Sequence, residues 1–162
     1  MNKRIRGYIG RFTLIHVITY VVCGIIFMEL LNYEESLATM ESFKLYRSLE
    51  DPMVGLGVFP MQILRGGLFA LLIYPFYKRI FEKRHGWLLL FGLLYGFTYL
   101  FIALPEFLSG IVNYIRTGTS IAELFVGVPE ITVQMLVFSL VLFKWERRVR
   151  KNQRKSFARS NN

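Results

Sequence analysis

The sequence predicts an all-α integral membrane protein: a four-transmembrane-helix bundle with both termini cytoplasmic and a short interfacial helix in the first outer loop. Three observations lead there. Four long stretches are nearly free of charge, the basic residues crowd the segments on one side of those stretches, and the middle connection is a short turn. The chain has 162 residues, of which 54% are hydrophobic, 16% aromatic and 19% charged. The charged fraction lies below the ~25% usual for soluble domains. A disordered or collagen-like chain is excluded by this composition, and a disulfide scaffold by the single cysteine, Cys23.

Crossing a hydrocarbon core of about 30 Å takes about 20 helical residues. The first span is read at about 12–31, with Glu29 its one charge. Its basic flank resembles a signal peptide, but the apolar run is long and no small-x-small site follows, so it is read as a retained helix. The second span is read at about 59–77 and holds only Arg65; the third, at about 87–105, holds no charge; the fourth, at about 126–143, holds only Glu130. None of the four leaves a polar face for water.

Orientation follows from charge. Residues 1–11 carry four basic groups, residues 78–86 four, and residues 144–162 eight. The segments 32–57 and 106–125 together carry three: Lys44, Arg47 and Arg116. The positive-inside rule therefore places both termini and the middle turn in the cytoplasm. That turn, KRIFEKRHG, is short enough to make helices two and three antiparallel neighbours. In the first outer connection Asn32 and Glu35 have the spacing of a helix start, and Pro52, Gly55 and Gly57 close the segment. Its apolar residues, Leu37 to Leu49, suit a helix lying on the outer interface. The division is thus a single bundle over 1–143 and a basic cytoplasmic tail over 144–162.

Ionisable groups inside a bilayer cost several kcal/mol and usually face a partner. Arg65 lies six residues past Phe59 and Glu130 four past Val126, so both are expected in the outer third of the membrane, as are Glu29 and Glu106. Gln62 shares a helical face with Arg65, and Gln134 shares one with Glu130. Gly66, Gly67 and Ala70 would let backbones approach closely beside Arg65. The expected arrangement is an outward-facing polar cluster of Arg65, Glu130, Glu106, Gln62 and Gln134. It serves either as a staple between helices or as a ligand site. His16 is expected to be a hydrogen-bonded packing residue.

No metal-ligand, phosphate-loop or nucleophile motif is present, and one cysteine excludes a CxxC redox pair. No cofactor, metal or catalytic set is expected, and no nucleic acid. The tail residues Lys144, Arg147, Arg148, Arg150 and Lys151 begin beside Trp145 at the membrane edge and are expected to contact anionic lipid head groups. The functional expectation is a non-enzymatic accessory or interaction subunit of a bacterial or archaeal cell membrane, engaging a membrane-protein partner or a second copy of itself. The alternative is a small transporter or binding protein for an anionic or proton-coupled solute, using Arg65 with Glu130 or Glu106.

Overall fold

The structure is a computed structural model and describes residues 3–30, 52–100, 108, 111–112, 114–116 and 128–160. Every regular element among them is helical: α1 (Lys3–Leu30), α2 (Pro52–Ile73), a 3-10 turn (Tyr74–Phe76), α3 (Tyr77–Glu82), α4 (Gly86–Thr98) and α5 (Val128–Ser160). Three helical stretches are long and apolar enough to cross a membrane: Arg4–Leu30, Gly57–Glu82 and Val128–Gln153. α4 is a shorter apolar helix of 13 residues. At about 20 Å it falls short of a bilayer core, and residues 101–107, which would complete a span ending at 105, lie outside the described residues.

The helices start and stop for local reasons. Pro52 opens α2 instead of closing the preceding connection, because a helix's first residue needs no N–H partner. The interfacial helix expected before it falls on residues 32–51, outside the described residues. Pro60 removes one hydrogen bond from α2 without ending it. Between α3 and α4 the chain folds back so tightly that a Cβ on Gly86 would sit 1.6 Å from the Ile80 carbonyl oxygen. Only glycine fits there. α5 has 33 residues, about 50 Å, and runs straight through the 143/144 division into the basic segment.

Helix α1 packs along α2 and α5, and α4 packs along α5 and α3. The buried stripes keep helical phase. On α1 they are Tyr8, Phe12, Ile15, Thr19 and Cys23; on α4 Leu90, Leu94 and Thr98; on α5 Gln134, Phe138, Leu142 and Glu146. Phe12 meets Phe138 edge to face at 4.8 Å between ring centres. The opposite faces carry exposed Leu14, Ile18, Val22 and Ile25 on α1 and Leu64, Leu68, Leu71 and Leu72 on α2. In lipid such side chains gain little by burial, so shape and polar contacts decide which faces meet. Gly66 illustrates the shape term: a Cβ there would lie 3.2 Å from both His16 Cδ2 and Thr13 Cα, so α1 and α2 touch at backbone distance. The neighbouring Gly67 faces open space.

Candidate functional site

Two polar clusters cross-link the helices. The first lies where α1 and α2 approach at Gly66. His16 is 2% exposed, and its Nε2 is 3.2 Å from Gln62 Oε1. The ring is also wedged between Phe69 and Phe138. Gln62 engages Tyr20 one turn further along α1. Arg65 and Glu130 both act electrostatically on Tyr20, and Arg65 acts on His16 as well. The Arg65 guanidinium lies 5.4 Å from the centre of the Phe69 ring, and its Nε is buried without a hydrogen-bond partner among the described residues. Glu130, in the first turn of α5, reaches α1 at Gly24, where a Cβ would be 3.8 Å from its Oε1.

Arg65 and Glu130 meet α1 at different levels. α2 starts at Pro52 and its membrane-length apolar stretch at Gly57, so Arg65 lies about 12 Å along that stretch. It sits beside Gly66, against Thr13 and His16 near the middle of α1, while Glu130 lies one to two turns away at Gly24. Tyr20 stands between those levels. Gln134 is buried on the same α5 face as Glu130, next to Met135 and one turn before Phe138. Glu106 lies outside the described residues, and Glu29 is exposed near the end of α1.

The second cluster is at the opposite, basic end, and sequence reading missed it. Glu146 is fully buried. Arg11 Nε donates to its Oε1 at 2.5 Å, and the Tyr77 hydroxyl donates to its Oε2 at 2.7 Å. One carboxylate thus ties α1, α3 and α5 together. The signal was present: Glu146 continues the i, i+4 series Gln134, Phe138, Leu142, so a lone acid in the basic run KWERRVR falls on the buried face. Further out, Arg150 Nη2 donates to Glu82 Oε1 at 2.8 Å, and its guanidinium lies 5.7 Å from the Tyr77 ring centre. Arg150 is therefore engaged with the bundle. Lys144, Arg148 and Lys151 are exposed, and Arg147 is exposed with its guanidinium over Phe143.

Burial of this carboxylate is tolerable because both of its oxygens are met. Removing water from Glu146 costs several kcal/mol, which the short bond from Arg11 and the tyrosine hydroxyl offset. Tyr8 packs edge-on against Phe12, Tyr77 and Phe81 and walls off this pair, yet its own hydroxyl is buried without a partner among the described residues. Among the described residues no group of three or more His, Cys, Asp or Glu side chains could hold a metal ion. No known protein family, curated protein or solved structure matches the chain.

Proposed function

We propose that this chain is a small four-span membrane protein with both termini cytoplasmic, acting as a non-enzymatic interaction subunit. Its interior polar groups hold its own helices together, and its outer apolar faces engage lipid and the helices of a partner. The observation that carries this reading is how little of each long helix the chain itself covers. Only 22%, 22% and 33% of the most apolar windows are buried, whereas the polar pairs Arg11–Glu146 and His16–Gln62 lie inside the bundle. Uncovered helix faces suit lateral association, because in lipid packing and polar contacts drive helices together. A photoreactive side chain placed in turn at Val22, Leu68 and Val137 in living cells tests it. One face should give a discrete protein adduct or a dimer of the chain. Lipid adducts alone from all three would refute it.

One observation favours a second reading, an anion-binding or transport role centred on Arg65. A guanidinium nitrogen buried without a hydrogen-bond partner among the described residues is a donor available to an anion. On that reading Arg65→Met abolishes solute binding while the protein still folds. On the first reading Arg65→Met combined with Glu130→Leu keeps both fold and activity.

A further inference from the structure

We propose that a cavity at the basic end of the bundle seats the phosphate of an anionic phospholipid. The inference rests on the chain lying in a membrane and is independent of what partner, if any, it engages. The cavity measures about 380 Å³ and opens between the start of α1, the 3-10 turn with α3, and α5. That volume is within the ~300–1,000 Å³ of ordinary small-molecule sites. Its walls bring together Arg4, Arg11, Lys78 and Arg150, with Glu82 the one acid among them and Glu146 bonded to Arg11 beneath. Four cations against two carboxylates leave an excess of two positive charges along the wall of this open-sided cavity.

Two buried donors lie under the cavity wall. Tyr8, 1% exposed, lines the cavity and has its hydroxyl buried without a hydrogen-bond partner among the described residues. Arg150 gives Nη2 to Glu82, but its Nη1 is likewise buried and unmatched among those residues. Both atoms lie beneath the cavity wall, out of water's reach, so what a phosphate meets in the cavity is the charge of its wall, with Lys78 and Arg4 at its exposed edge.

The surroundings select a lipid over a free phosphate. Tyr74 and Pro75 form the rim, and Leu71, on the same face three and four positions earlier, is 51% exposed beside the exposed Leu72. A head group seated among the cations would lay its acyl chains along that strip toward the membrane middle. Basic pockets between helices at the cytoplasmic side suit anionic head groups on general electrostatic grounds.

The test is native mass spectrometry of the full chain released from nanodiscs containing phosphatidylglycerol and phosphatidylcholine, followed by titration with phosphatidylglycerol. Arg4→Gln with Lys78→Gln alters two exposed side chains of the cavity; Lys83→Gln with Lys151→Gln removes the same charge from the same end outside it. Each phosphate-facing cation is worth about fivefold in affinity, so the cavity variant should bind phosphatidylglycerol about 25-fold more weakly and the control less than twofold. Equal losses in cavity variant and control would mean diffuse attraction and overturn the proposal. Displacement of the lipid by millimolar glycerol 3-phosphate would overturn the lipid assignment in favour of a soluble phosphate.

Discussion

Replacing Arg11 by methionine isolates the energetics of the buried carboxylate. Glu146 is fully buried and has two partners, Arg11 at 2.5 Å and the Tyr77 hydroxyl at 2.7 Å. Arg11→Met keeps the apolar stem of the side chain but withdraws the one positive charge bonded to Glu146 among the described residues. Breaking a buried pair from one side costs about 3–5 kcal/mol, because the remaining charge is stranded. The retained Tyr77 bond places this variant toward the lower end, at about 3 kcal/mol. Tyr77→Phe removes a neutral donor to a charged acceptor and should cost about 1.5–3 kcal/mol. Arg11→Met with Glu146→Leu removes both charges and should fall within about 1 kcal/mol of the parent or exceed it. The assay is reversible unfolding in mixed micelles by SDS titration, followed by circular dichroism, for the parent, the single variants and the double variant. If Arg11→Met and the double variant lose equal stability, the carboxylate is not held as described.

Other outcomes follow from the packing. Gly66→Ala places a methyl 3.2 Å from His16 Cδ2 and Thr13 Cα and should cost about 1–3 kcal/mol, while Gly67→Ala, facing open space, should be neutral or gain up to ~1 kcal/mol from helix propensity; thermal denaturation of the two separates them. Gly86→Ala meets the Ile80 backbone and should abolish accumulation of folded protein, read by size-exclusion chromatography with fluorescence detection. A double-mutant cycle of His16→Leu and Gln62→Leu should give a coupling of about 1 kcal/mol, and a coupling near zero would remove the bond between α1 and α2. Lys144→Gln with Arg148→Gln, both exposed, should leave stability within ±0.5 kcal/mol while weakening attraction to anionic vesicles.

The helical class and the apolar stretches were legible because lipid demands a long run of uncharged residues whose backbone bonds are met internally. Gly66 as a close-approach residue and His16 as a bonded packing residue were legible for the same reason: a small residue and a lone polar one on an apolar helix have few uses. Where the second helix begins was not: hydropathy rises at Phe59, but the helix starts seven residues earlier, at Pro52, because backbone hydrogen bonding does not wait for apolar side chains. The basic-end cluster was hidden by composition. A run such as KWERRVR reads as solvated charge, and the helical phase that buries Glu146 shows only when the α5 stripe is carried past the last apolar residue. Arg150 bonds Glu82 and packs on Tyr77, contacts across 68 and 73 positions that no local pattern records.

Cysteine accessibility in intact cells addresses most directly the claim that these helices cross a membrane with their basic ends inside. In a Cys23→Ser background, Arg84→Cys in the turn between α3 and α4 should react with a membrane-impermeant maleimide only after permeabilisation. Ser36→Cys should react without it, and Val22→Cys, on the exposed apolar face of α1, in neither condition. Labelling of Arg84→Cys from outside, or of all three positions alike, would contradict the account.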